Sequence, residues 1–212
     1  MNALFSFARR YRIALFSANI ALLILATLLS PLEQTLGWRA RAVYFHGAWV
    51  WTGKVAFALA ALAGLTALVW AQKRAAAANW SLTLGRAGLF FWLTYLPMSI
   101  WVQQINWGGV YWDEPRWRIP MAFGVAAILL QIALVLFDLP ILTGIANLIF
   151  GVALWWSLAI IQNVLHPDSP IFGSGGSIHI QIFFILLTSL SLLFLAQVAL
   201  LLHKPSKEAQ KA

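Results

Sequence analysis

The sequence contains no cysteine. Disulfides, thiolate metal sites, iron–sulfur clusters and thiol relays are therefore excluded from this chain, and any thiol or redox chemistry has to come from a ligand or a partner. Charge is scarce too: 9% of the 212 residues are charged and only six are acidic, against roughly 25% charged residues in ordinary soluble domains. No paired-glutamate pattern for a di-iron site and no His-x-x-x-His zinc pattern is present. Internal repeats, a soluble domain and a long linker are missing as well.

What the chain has in excess is apolar. Hydrophobic residues make up 62% of it and the mean hydropathy is +0.82, which predicts an integral membrane protein. Fourteen Lys and Arg give a net charge of +8. In a soluble domain that excess would suggest nucleic acid, but here the basic residues read as topology signals at the ends of spans, and no nucleic-acid partner is expected.

Apolar runs long enough to cross a bilayer predict an all-α, six-transmembrane-helix bundle, one integral membrane domain with spans at about residues 13–30, 44–71, 87–104, 119–137, 141–165 and 178–202. The first run follows Arg9, Arg10 and Arg12 and resembles a signal sequence. No small-residue cleavage pattern follows it, so it is read as a retained span. Pro97 is expected to kink the third span, and Asp138-Leu139-Pro140 to turn the fourth sharply into the fifth. Nine basic residues (Arg9, Arg10, Arg12, Lys73, Arg74, Arg86, Lys204, Lys207, Lys211) fall at one face against four (Arg39, Arg41, Arg116, Arg118) at the other. By the positive-inside rule both termini are then cytoplasmic, in a cell (inner) membrane.

One stretch, Asn106 to Arg118, breaks the apolar pattern at the outer face. It holds Trp107, Tyr111, Trp112 and Trp117 together with Gly108-Gly109, Asp113, Glu114, Pro115, Arg116 and Arg118. Isolated tryptophans such as Trp38, Trp70, Trp80 and Trp101 are explained by the interfacial aromatic belt. Trp107, Trp112 and Trp117, spaced five apart beside a Gly-Gly, form a candidate platform for a flat ligand with charged edges. Asp113 and Arg116 are a candidate ion pair, and Arg39, Arg41, Arg116 or Arg118 are candidates to hold carboxylates bidentately.

Four histidines are present. His203 lies among lysines at the cytoplasmic end and reads as solvated. His46 opens the second span and His166 closes the fifth, so the two imidazoles are expected at similar depth near the outer surface, with His179 at the start of the sixth span as an alternative partner. Such a pair suits the two axial positions of a haem iron better than a zinc site, for which no third ligand clusters nearby. Trp49, Gly53 and Lys54 share the face of His46, placing Lys54 on the order of 12 Å deeper at 1.5 Å per residue. It either snorkels to the interface or faces an internal cavity.

These segments resemble the haem-handling cytochrome c assembly family, typified by CcmC and more distantly CcsA. The family hallmark is an outward W-G-x-x-W-x-W-D segment flanked by histidines in neighbouring outer loops. Trp107-Gly108-Gly109-Val110-Tyr111-Trp112-Asp113 resembles it, one residue shorter and with Tyr111 near one family tryptophan. Tyr44-Phe45-His46-Gly47-Ala48-Trp49 resembles the first histidine segment, and Asn163-Val164-Leu165-His166 the second.

The resemblance covers about residues 44 to 180. It implies haem b as cofactor, His46 and His166 as axial ligands of its iron, and Trp107, Gly108, Trp112 and Asp113 as the contact platform; Arg116 is added from its charge and position. It also implies haem transfer rather than catalysis, with a covalent haem chaperone or apocytochrome c as acceptor, an ABC-type transporter complex as a further partner, and membrane lipid around the bundle. The rival readings are a permease for haem or a small solute, and a non-haem structural subunit. Asn19, Gln131, Asn147 and Gln197 are the intramembrane polar residues a permease would use, and the sequence alone scatters them.

Overall fold

A computed structural model of the chain describes residues 11–162, 164, 169, 171–173 and 177–204. Among these residues it is all-helical, with six long helices: α1 (Arg12–Leu28), α2 (Ala40–Val69), α3 (Arg74–Trp107), α4 (Pro115–Phe137), α5 (Pro140–Ala159) and α6 (Ile178–Leu202). A short 3₁₀ turn, Ala71–Lys73, joins α2 to α3. Helix α2 is the hub, packing against α1, α3, α5 and α6. Large apolar side chains such as Ile13, Leu129, Leu136, Ile149 and Leu200 are exposed on the outward faces, the pattern of helices that need an apolar surrounding.

Four of the helices, α2, α4, α5 and α6, are long and apolar enough to cross a membrane, not the six expected. Helix α1 has 17 residues and is shorter than the others. Helix α3 has 34 residues, but Arg74, Arg86, Gln103, Gln104 and Asn106 dilute its hydropathy. Its boundaries also differ from the expected 87–104. Ala75–Ala78 is strong helix-forming sequence that an apolar-run criterion passes over, so Arg86 lies inside the helix rather than in a loop. Helix α2 starts at Ala40 rather than 44, which puts His46 in its second turn. Helix α5 ends at Ala159, well short of 165. The apolar run of the sequence continues beyond it, so hydropathy does not mark where the helix stops.

The ends of the helices follow local chemistry. Pro115 takes the first position of α4, where its missing N–H costs nothing. The preceding Glu114 caps the helix, its carboxylate accepting from the Arg116 N–H at 3.1 Å. Helix α3 stops at Gly108, in the left-handed region at φ 72°. As expected, α4 turns sharply into α5: Asp138 is left-handed (φ 48°) and Pro140 opens the next helix. The loop before α2 is held by Glu33, which accepts from the backbone of Thr35 and Leu36 at 2.8 and 2.6 Å and from the Thr35 hydroxyl at 2.8 Å. Burial raises the Glu33 pKa, and these hydrogen bonds together outweigh it, so the net shift is downward.

Small residues and polar pairs hold the bundle together, as expected where apolar burial alone gives little preference between helix partners. Gly64 on α2 and Gly144 on α5 sit backbone to backbone: a Cβ at Gly64 would lie 2.6 Å from the Gly144 carbonyl oxygen. The polar residues that the sequence scatters prove to be paired. Asn19 on α1 donates to Gln197 on α6 at 3.0 Å. Gln131 on α4 donates to Asn147 on α5 at 3.1 Å, and Asn147 donates to Ser81 on α3 at 2.9 Å. Each such bond contributes roughly 0.6–2 kcal/mol and fixes helix register; none forms an ionisable relay.

His203, expected to be solvated, caps α6 and stacks on Trp80 of α3 with ring centroids 3.8 Å apart and planes 13° from parallel. Its Nδ1 lies 3.2 Å from the Thr83 hydroxyl, and the neighbouring Lys204 carbonyl accepts from Asn79 at 2.6 Å. Burial holds the imidazole below its ordinary value. The folded state therefore binds this proton less readily than the unfolded state, so the stabilisation is complete above the ordinary pKa of about 6.5 and is lost as pH falls through the lower folded value. The thermal midpoint of the purified protein is expected to drop as pH falls below about 6.5, and His203→Gln to flatten that segment of the profile. An unchanged profile in the variant would contradict this. Glu33 acts at lower pH, below its ordinary 4.5, and does not obscure the test.

Candidate functional site

The start of α2, the end of α3, the start of α4, the end of α5 and the start of α6 meet at one end of the bundle around a cavity of about 480 Å³. That volume lies within the roughly 300–1,000 Å³ of small-molecule and cofactor sites. His46 and Lys54 reach the cavity from α2, Tyr95, Ser99 and Gln103 from α3, and Trp107, Glu114 and Arg116 from the tryptophan-rich segment and its flanks. Ser169, Ile171 and Phe172, from the chain between α5 and α6, complete the wall.

The walls are largely apolar, and aromatic rings make up much of their flat surface. The His46 ring lies 5.2 Å from that of Tyr95, which is buried. Phe184 of α6 packs against Gly47, where a Cβ would meet its ring at 3.2 Å, so α6 approaches α2 closely beside His46. Trp92 closes the inner side, its indole N–H donating to the Pro120 carbonyl at 2.9 Å. Trp107 is half-buried and meets Tyr111 edge to face at 5.7 Å. Gln103 accepts from the Tyr111 N–H at 3.0 Å, tying the segment back onto α3.

Of the site residues expected from sequence, His46, Trp107 and Arg116 come together on this cavity, and Lys54 joins them. His166 lies outside the described residues. Gly108, Trp112 and Asp113 do not line the cavity. The helical stretch runs through Trp107, so the segment is a loop only from 108 to 114, and the Glu114 cap with Pro115 swings the chain back into α4. Trp112 is left exposed, edge-on to the buried Trp117 at 5.9 Å. Asp113 pairs with Arg118 at 3.7 Å, both side chains exposed, rather than with Arg116. Gly108 serves to end α3. Arg39, Arg41, Arg118 and the exposed His179 are also off the cavity.

Sequence reasoning missed the polar stripe of α3. Tyr95, Ser99, Gln103 and Asn106 recur at helical spacing and all four line the cavity; the 3.6-residue period was the signal that marks them as one face. It also missed Glu114, buried at the cavity wall, whose capping position before a proline is legible.

Chemically, the cavity offers one imidazole among its described residues, two cationic side chains and flat apolar walls. Among the described residues no group of three or more His, Cys, Asp or Glu is placed to hold a metal ion. Cationic side chains beside flat apolar walls suit a flat ligand with acidic groups. The chain matches no family model, no curated protein and no solved structure.

Proposed function

We propose that this chain is a six-span membrane protein that binds haem b at the outer face of the cell's inner membrane and presents it to a partner during cytochrome c maturation. The observation that carries this reading is the convergence of His46, Trp107 and Arg116, separated by up to seventy positions, on one aromatic-walled cavity of ligand size. His46 and Trp107 come from the two described segments that resemble the CcmC-like family, and Arg116 is added from its charge and position. The described residues fit the group: His46 would supply an imidazole for the iron, with His166, outside the described residues, as the second ligand that the resemblance implies; Trp107 would supply a flat face, and Arg116 a cation for an acidic group. Bound haem supplies the iron and the vinyl groups that an acceptor's thiols would attack; without cysteine this chain presents rather than attaches it.

The six-span arrangement takes α1 and α3 as the two further crossings. Helix α3 is long enough at 34 residues, and α1 is near the lower length limit of roughly 17 residues. Both termini are then cytoplasmic, with the cavity at the outer end, and moving Arg86 into α3 leaves the basic bias of the cytoplasmic face in place. Asn19, Gln131, Asn147 and Gln197 bind helix to helix, which gives the permease reading no polar path. Protein reconstituted in lipid nanodiscs and loaded with haem is expected to lose its Soret absorbance to an added apocytochrome c or haem chaperone. Retention of the haem by this protein under acceptor excess would contradict a presenting role.

A further inference from the structure

We propose that Lys54 seats a carboxylate of the cavity's ligand and so sets which edge of that ligand faces inward; this rests on the haem reading above. Lys54 lies midway along α2, an apolar helix, where a lysine facing lipid would run its stem out to the interface. It does not. Its Nζ lies 3.9 Å from the ring centroid of Trp51, which lines the cavity with it, and 4.4 Å from that of Trp155 on α5, which does not. Trp155 is fixed in turn, its indole N–H donating to the Lys54 carbonyl at 3.1 Å, and the two indoles meet edge to face at 6.0 Å.

Aromatic faces stabilise the ammonium but do not supply the strong acceptors its three N–H groups can use. Asp113 pairs with Arg118 away from the cavity. The one carboxylate among the described cavity residues, Glu114, caps α4. Among the described residues the cavity thus has two cationic side chains against one carboxylate, and the deeper cation, Lys54, is half-buried, where an incoming anion is screened less than at the rim. His46 and Lys54 share a helix face eight residues apart, on the order of 12 Å along the axis. A tetrapyrrole with its metal level with His46 would reach Lys54 with its acidic edge, the lysine arm covering the remainder. The propionate edge then points into the bundle and the vinyl edge toward the mouth, where an acceptor approaches. Arg116, exposed at the rim, is the competing, solvent-screened seat, and a ligand held there would turn its acidic edge outward instead.

The test titrates ferric haem and its dimethyl ester into purified wild-type protein, Lys54→Met and Arg116→Gln, following the Soret band. Wild type is expected to bind haem at least about tenfold tighter than the diester, as one desolvated charge-assisted hydrogen bond implies. Lys54→Met is expected to bind both at the diester's wild-type affinity with the Soret maximum unchanged, and Arg116→Gln to keep most of the preference. Equal wild-type affinity for acid and ester, a preference retained in Lys54→Met, or a preference abolished in Arg116→Gln would overturn the proposal while leaving haem binding intact. The first and third of these decide even where Lys54→Met fails to fold. Failure of both porphyrins to bind wild type would instead overturn the haem reading itself, and this proposal with it.

Discussion

Replacing His46 with alanine is expected to lower haem affinity by at least about a hundredfold and to shift the Soret maximum, with little loss of stability. Loss of a hydrogen-bond partner behind a metal ligand already costs roughly 10–100-fold in affinity, and loss of the ligand itself has to exceed that. His46 is half-buried on the cavity wall, while the residues that anchor its turn, Tyr44, Ala48 and Trp49, are buried and remain in place. The other described histidines are controls. His179 is exposed off the cavity and His203 stacks on Trp80 at the opposite end of the bundle, so alanine at either should leave the spectrum unchanged. Titration by absorbance decides; a His46→Ala protein with wild-type affinity would remove His46 from the ligand set.

The second large effect is on stability. Gly64→Leu is expected to destabilise the bundle by about 3 kcal/mol or more, above the usual 1–3 kcal/mol of overpacking. The reason is that its Cβ would lie 2.6 Å from the carbonyl oxygen of Gly144, a backbone atom that can move only with its helix. Gly151 repeats the situation further along α5, where a Cβ would meet the Ala61 Cβ at 2.7 Å and the Phe57 carbonyl oxygen at 3.0 Å. The crossing of α2 and α5 therefore closes only with glycine at these points. Because Trp51 and Lys54 stand on α2 and Trp155 on α5, separating the helices also takes Trp155 away from Lys54. Gly109→Ala is the matched control: nothing lies within 4 Å of its Cβ position, and a change within about 0.5 kcal/mol is expected. Unfolding midpoints in mixed micelles measure both, and equal midpoints for Gly64→Leu and wild type would contradict the packing.

Hydropathy made much of this fold legible, because an apolar helix leaves a continuous run whatever its partners. It misplaced the ends of α3 and α5 for a physical reason: helix propensity and breaker residues, not hydropathy, decide where a helix starts and stops. Arg86 illustrates this, since a charge that ends an apolar run does not end a helix. Partnerships were illegible. Asn147 meets Gln131 and Ser81, and nothing in a single sequence marks residues 16 and 66 positions away as neighbours. At the cavity, His46 stood out as one of four histidines, whereas Trp107, one of twelve tryptophans, stood out by its place beside Gly108-Gly109. Trp112 and Asp113 stood out equally, yet the Glu114 cap and Pro115 turn them to the exposed side. Lys54 was visible as an intramembrane charge, but which way it pointed depended on Trp155, one hundred and one positions away.

The most direct measurement is a titration of ferric haem into the purified wild-type protein, beside a His46→Ala/His166→Ala double variant, read by absorbance in oxidised and reduced states. The expected result is a saturable Soret band at one haem per chain, distinct from free haem and lost in the double variant. A wild-type preparation that stays colourless with haem supplied, or a double variant with the same spectrum and affinity as wild type, would contradict haem binding at this cavity.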